Sequence, residues 1–353
     1  MNAERYSFIR PIGQGGFGAV SLYSDNFLDR PVAIKRIKPI DGYDIANEFR
    51  LMSQVDSQHV ATIYDVSYEG DDLIIIEEFL SGRSLSDVAG KLSYNEFLKI
   101  AYQITKGLTD IHNVNVCHRD IKPENMRFDD EGILKIYDFG ISVAGENYET
   151  FNGRSTLNYA APEIFALANG ASSVLITQEY DIYSLGVSLW YLASGELANF
   201  NDFPSIVSRY GYRPSPDYKL IYNEIPDFIN VLLSRTVSKR KEDRPNARNL
   251  SSVLVKELTK DKHRAKFITQ NMTWTLSSER TEARNIGYTD CNFSVRYDGY
   301  NFLVESQVGN ILFNNISLPD GSVIPEACVI TLNRGQLGRV FVSFLMSCPE
   351  VLL

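Results

Sequence analysis

Cysteine is scarce in this sequence: four residues among 353, at Cys117, Cys291, Cys328 and Cys348. Their spacing holds no CxxC pair and no alternation with histidine, which argues against a zinc site. Thiols so few and scattered suit a reducing compartment rather than a disulfide scaffold. Long apolar runs are missing as well. The best candidate, residues 340–345, has the length of a strand and falls far short of the roughly 20 residues that cross a bilayer. The opening residues MNAERYSFIRPIG lack the apolar stretch of a secretory signal. Positive charge is in deficit: 35 Lys and Arg stand against 44 Asp and Glu, a net of −9. Such a chain sets up no general field for nucleic acid or anionic lipid, so neither partner is expected. Internal repeats and low-complexity segments are absent too. A soluble, cytoplasmic protein is the expectation.

What remains is globular in composition, with 44% hydrophobic and 22% charged residues, and long enough for two domains. Residues 8–12, 19–23, 32–37, 61–68 and 73–79 read as strands bounded by turn signals. Residues 46–55 have helical spacing, with Phe49, Met52 and Val55 on one face. From Ser84 to about residue 265 the pattern is mostly helical. Leu98, Tyr102, Ile104, Leu108 and Ile111 mark one amphipathic helix, residues 182–192 a strongly apolar second, and 247–258 a last one. The charged run KELTKDKHRAKF reads as a helix end or linker, with His263 solvated in it. Beyond it, strands are expected at 272–276, 293–297, 302–305, 311–313, 328–332 and 339–345, separated by DG, GN, NN and PDG turns. The predicted division is 1–80, 81–260 and 261–353: a small β-rich lobe, a helical lobe and an all-β tail.

Three constellations carry chemistry. In Gly13-Gln14-Gly15-Gly16-Phe17-Gly18-Ala19-Val20, glycines let backbone N–H groups close over phosphate oxygens without Cβ clashes. A hairpin turn is the bland alternative, and a dinucleotide site would need a strand followed by a helix rather than two strands. Lys35, in Val32-Ala33-Ile34-Lys35, points an ammonium from an apolar strand, where it needs a phosphate or carboxylate; Glu48 follows thirteen residues on. The run His118-Arg119-Asp120-Ile121-Lys122-Pro123-Glu124-Asn125, followed by Asp138-Phe139-Gly140, supplies a carboxylate to orient a hydroxyl, a lysine for a phosphate and oxygen ligands for magnesium. His59 and His112 fit structural positions.

These motifs resemble those of Hanks-type, eukaryotic-like serine/threonine protein kinases over residues 6–260. Ala161-Pro162-Glu163 is similar to the end of that family's activation segment. The resemblance implies a bilobal α+β kinase fold followed by the small all-β domain. It implies catalytic Asp120 and Lys122, a Lys35–Glu48 pair, and nucleotide contacts at Gly13, Gly15, Gly16, Gly18, Val20, Ala33 and Lys35. Backbone of Glu78 and Leu80 would meet adenine. Asn125 and Asp138 would hold magnesium, or manganese in its place, beside ATP. Asp181 would brace the catalytic loop, and Arg244 would pair with Glu163. Lys122 and Thr156 stand where serine/threonine-directed members carry them. Arg119 suggests a phosphate on the activation segment, at Tyr148, Thr150 or Ser155.

Three positions depart from the pattern. Glu77 occupies the usually apolar or threonine position before the hinge, Arg127 lies where the adenine floor is apolar, and Ser84 replaces an acidic residue. The opposite charges of Glu77 and Arg127 suggest a mutual pair, against solvation of each. The segment ALANGASSVLIT reads as a surface loop. A pseudokinase scaffold and a small-molecule phosphotransferase are the competing functions. For residues 261–353, peptide or protein recognition competes with a regulatory cover and with homodimerisation.

Overall fold

The structure, a computed structural model, describes residues 4–15, 18–38, 45–138, 157–166, 176–200, 211, 213–269 and 272–347. The side chains of residues 14, 15, 45–48, 165, 166 and 284 lie outside that description. Contacts divide the chain into residues 1–254 and 255–353, a boundary ahead of the expected 260/261 junction and inside the last helix.

The first unit begins with β1 (Tyr6–Gly15), β2 (Gly18–Asp25), β3 (Arg30–Ile37), α1 (Ile45–Met52), β4 (Ile63–Glu69) and β5 (Asp72–Glu78). The strands form one antiparallel sheet in the order β1-β2-β3-β5-β4. Register puts Ile34 opposite Ile76 and Ala33 opposite Glu77. Since successive side chains alternate between faces, Val32, Ile34, Ile74 and Ile76 join Tyr6 in a core cluster. Val20, Ala33, Lys35, Ile75 and Glu77 fall on the other face. Gly18 has φ +152°, and a Cβ there would sit 1.9 Å from Arg36 O. The pairing of β2 with β3 therefore demands glycine at that position. A Cβ on Gly13 would meet no described atom within 4 Å, so the demand there does not come from packing.

The helical part starts at α2 (Tyr94–Asn113), where Ser93 and Glu96 form a capping box. Phe97, Leu98, Ile104, Leu108 and Ile111 of α2 are buried, the face that the 3.6-residue spacing marks. A 3-10 turn (Pro123–Asn125) leads into the hairpin β6 (Met126–Phe128) and β7 (Leu134–Ile136). Backbone bonds Ile136 N–H to His59 O and Ala61 N–H to Ile136 O, each 2.9 Å, tie the approach to β4 onto this hairpin. His59 is buried, with Nδ1 3.1 Å from Leu134 O, in the structural position its sequence suggests. A second 3-10 turn (Pro162–Ala166) precedes α3 (Gln178–Ser194), which ends at Gly195 with φ 74°. Helices α4 (Asp227–Ser234) and α5 (Ala247–Leu258) follow. No helix among the described residues is long and apolar enough to cross a membrane.

The tail contains β8 (Ala265–Ile268), β9 (Thr273–Leu276), β10 (Glu282–Tyr288), β11 (Cys291–Tyr297), β12 (Phe302–Val308), β13 (Asn310–Phe313), β14 (Ala327–Asn333) and β15 (Arg339–Met346). They make a three-stranded sheet, β10-β11-β12, and a five-stranded one, β13-β14-β15-β8-β9. Phe293, Val295 and Phe302 of the first share one core with Phe267, Ile330 and Phe344 of the second, so the two sheets face each other as a sandwich. Two strands escape the sequence pattern. β8 lies inside the charged run expected to be a linker, and β10 carries too many polar residues to alternate. His263 is a further correction: it is buried rather than solvated. Reciprocal bonds between Arg264 and Ser347, at 3.0 and 2.8 Å, draw its segment against the sheet.

A chain ended after Arg264 retains α5 whole and loses β8–β15. It is expected to melt cooperatively by circular dichroism; a broad, non-cooperative melt would show that the first unit depends on the tail.

Candidate active site

The short hairpin β6–β7 sets the geometry. Asn125 immediately precedes β6 and Asp138 follows β7 by two residues. The register Met126 opposite Ile136 makes Asn125 a neighbour of Tyr137, whose N–H donates to Asn125 O at 3.0 Å. Two oxygen-bearing side chains distant in sequence thus emerge from one end of the hairpin. Asp120 joins them. Its Oδ2 accepts from Asn125 Nδ2 at 2.7 Å and from Lys122 Nζ at 2.6 Å, while Asn125 Nδ2 also reaches Asp120 O at 2.9 Å. With its amide nitrogen so occupied, Asn125 has its Oδ1 left for a ligand. Lys35 Nζ, buried on the sheet face, is ion-paired with Asp138 Oδ1. The side chain of Glu48, on α1, lies outside the described residues, as do Gly16, Phe139, Gly140, Tyr148, Thr150, Ser155, Thr156 and most of ALANGASSVLIT.

Val20 on β2 pairs with Lys35, and Ala33 is two residues from it, so both share the lysine's face. Gly15 ends β1 and Gly18 begins β2. At the far end of β5, the Glu78 carboxylate accepts from Lys135 Nζ at 2.7 and 2.9 Å and from Thr62 N–H at 3.1 Å. Two residues on, the Leu80 N–H makes no hydrogen bond among the described residues, leaving an open donor just past the end of β5.

The loop carrying Asp120 is held from below. Asp181, fully buried in the first turn of α3, accepts from His118 N–H at 2.8 Å and Arg119 N–H at 2.7 Å. Its Oδ2 also lies 3.0 Å from His112 Nε2. The helix N-terminus favours the carboxylate electrostatically. The His118 ring spans two loops: Nδ1 accepts from Asp120 N–H at 3.3 Å, and Nε2 lies 3.2 Å from Tyr137 O. Burial lowers the His118 pKa and keeps the neutral form that this acceptor requires. Arg119 and Asp138 both have positive φ, 68° and 56°, a strain that persists only where surrounding contacts enforce it. Further out, Arg244 makes a forked pair with Glu163 at 2.7 and 2.8 Å and donates to Glu179 O and Ser238 O.

The suggested Glu77–Arg127 pair does not form. Arg127 NH1 donates to Gly82 O at 2.9 Å, so the guanidinium is taken by the chain beyond the hinge. Glu77 is buried on the Lys35 face, and its carboxylate makes no hydrogen bond among the described residues. Sequence reading also passed over the Lys135 contact with Glu78 and the bridging by the His118 ring. The alternation of Lys135 with Tyr137 past a short strand was the available signal for the former; nothing local marks the latter.

No group of three or more His, Cys, Asp or Glu side chains among the described residues forms a metal cage. One carboxylate and one amide oxygen, as at Asp138 and Asn125, instead suit a hard cation that shares its shell with phosphate and water.

Residues 6–262 match the protein kinase domain family. The chain is similar to a probable serine/threonine-protein kinase of Clostridium acetobutylicum, 29% identical over 255 residues that cover 69% of this chain and 38% of that protein. It is 32% identical to the serine/threonine-protein kinase PrkC of Bacillus subtilis over 250 residues, 66% of this chain and 37% of that one. Serine/threonine-protein kinase PknA of Corynebacterium glutamicum is 37% identical over 201 residues, 52% of this chain and 42% of that protein. The chain matches about two fifths of the length of these curated relatives.

Burial raises the Glu77 carboxyl from 4.5 to about 7, partly offset by the Lys35 ammonium. Between these values the folded state keeps a proton that the unfolded state has released, so this group's contribution to stability falls as pH rises from 4.5 to 7. Glu77→Gln removes the titration. Its melting free energy relative to wild type is expected to improve by up to about 3 kcal/mol between pH 4.5 and 8; a pH-independent difference would contradict the shift.

Proposed function

This chain belongs to the protein kinase domain family, and on that premise we propose that it transfers the γ-phosphoryl group of ATP to serine or threonine hydroxyls of protein substrates. The single observation that carries the reading is the Asp120–Lys122–Asn125 cluster, set beside the Lys35–Asp138 pair on a loop pinned by Asp181. A pseudokinase would be expected to lack at least one of these groups.

In this reading Asp120 accepts a hydrogen bond from the substrate hydroxyl, orients it and takes its proton. The hydroxyl oxygen forms a bond to the γ-phosphorus as the bond to the β-phosphate oxygen breaks, and ADP leaves. Lys122, already placed against Asp120, contacts the transferring group, and Lys35 contacts the remaining phosphates. Val20 and Ala33 line the base, with backbone of Glu78 and Leu80 meeting its edge. Asn125 and Asp138 would hold magnesium, or manganese. When bound, that ion supplies positive charge to neutralise the phosphate oxygens. Asp138 would then serve both Lys35 and the ion. Gly13 leaves room for phosphate, as its open Cβ position indicates.

We read the tail as a protein- or peptide-recognition module. Ile268, Val329, Phe341 and Leu345 are exposed on the outer face of its larger sheet, an apolar surface of the sort that binding partners cover. A second copy of the chain is the competing partner.

Asp120→Asn and Asp138→Asn are each expected to lower phosphoryl transfer about 10²–10⁴-fold with an unchanged circular dichroism spectrum. Near wild-type turnover by either would remove the assignment. Regulation by activation-segment autophosphorylation is part of the reading. A phosphate at Thr150 or Ser155 would add about −2 of charge for Arg119 to pair with. Thr150→Ala with Ser155→Ala should reduce activity severalfold relative to phosphorylated wild type; equal activities of the two would argue against it.

A further inference from the structure

Glu77 is the outstanding anomaly of the first unit. The residue is 9% exposed, its carboxylate makes no hydrogen bond among the described residues, and it shares a sheet face with Lys35. Lys35 is itself engaged with Asp138, and Arg127 with Gly82. A carboxylate so largely enclosed and without a donor is poorly solvated, so a donor that arrives from outside would stabilise it. The residue opposite Glu77 is Ala33, a small side chain on the same sheet face. Three residues on, Leu80 presents a free N–H. This edge of the site therefore offers one strong acceptor and one donor, both unused.

We propose that Glu77 is a base-reading group that accepts a hydrogen bond from the exocyclic amino group of a 6-aminopurine nucleotide and rejects a 6-oxopurine. The inference rests on the nucleotide-site reading above. A 6-aminopurine presents amino hydrogens and an unprotonated ring nitrogen, which complement the Glu77 carboxylate and the Leu80 N–H. A 6-oxopurine presents a carbonyl oxygen and a ring N–H, the reverse pattern. It would set oxygen against carboxylate and donor against donor, so each mismatch leaves a buried polar group unpaired. The rival reading makes Glu77 a second counter-ion for Lys35. It would act on the phosphates and treat all bases alike.

The test is direct binding of ATP and of inosine triphosphate, each with magnesium, to the full chain by titration calorimetry at about pH 8.5, where Glu77 is ionised and accepts only. Wild type, Glu77→Met and Glu77→Gln would be compared after thermal melts confirm folding. Wild type should prefer ATP strongly. In Glu77→Met the ATP-over-inosine preference should fall about tenfold to a hundredfold, the range for one charge-assisted hydrogen bond. Most of that fall should come from weaker ATP binding. Glu77→Gln is nearly isosteric and keeps the test open if the methionine variant does not fold. Its amide can donate to a 6-oxo group, so inosine triphosphate should bind more tightly than to wild type. A preference unchanged within twofold in a folded variant, or equal weakening of both nucleotides, overturns the proposal. Wild type binding ATP and inosine triphosphate equally overturns it alone, whereas wild type binding neither removes the nucleotide site as well.

Discussion

A carboxylate with no exposure to water, Asp181, orders the loop that carries Asp120 by receiving the backbone N–H groups of His118 and Arg119 at once. Unsatisfied, a charge so buried would cost several kcal/mol. Paired with two backbone donors, the His112 ring and the N-terminal turn of α3, it becomes an anchor. The loop can then hold Arg119 at φ 68°, a conformation that a free chain would seldom adopt. From the anchored loop the His118 ring reaches both Asp120 N–H and Tyr137 O. The two aspartates of the site are therefore positioned by one helix end and one neutral imidazole.

Around this anchor the first unit works by register. The β6–β7 pairing places Asn125 beside Tyr137, and the β3–β5 pairing places Glu77 across from Ala33 and one step from Lys35. A slip by one residue in either pairing would turn these side chains to the opposite face. Glu163 with Arg244 supplies a second fixed point. Its forked geometry restricts direction as well as distance, which a lysine could not reproduce.

Much of this was legible in the sequence, because the residues concerned fall in short motifs of fixed spacing. The glycine run, Lys35, and the Asp120, Lys122, Asn125 and Asp138 series are local signals. Periodicity marked α2, α3 and α5, and alternation marked most of the strands. Elements whose burial is set by distant partners were harder to read. β8 sits among charges because only Ala265 and Phe267 face the core, and two alternate residues do not make a visible period. His263 was read as solvated from charged neighbours, while the Arg264–Ser347 bonds that enclose it join positions 83 residues apart. The Glu77–Arg127 pair failed for a related reason. Opposite charges in sequence suggest each other as partners, whereas the guanidinium is taken by the carbonyl of Gly82, beyond the hinge.

The strand order of the tail has a consequence for the timing of folding. β15, the last strand among the described residues, lies between β14 and β8, so the middle of the larger sheet is assembled from strands far apart in the sequence. Phe267 must wait for Phe344, and the sandwich cannot close during synthesis until β15 has left the ribosome. Until then the pairs β8–β9 and β13–β14 lack the strand that joins them, and each leaves an edge open. Loop closure over so long a stretch is slow, and such intermediates are prone to associate. By that stage the Asp181 anchor, made wholly from residues ahead of the tail, already has every partner it needs.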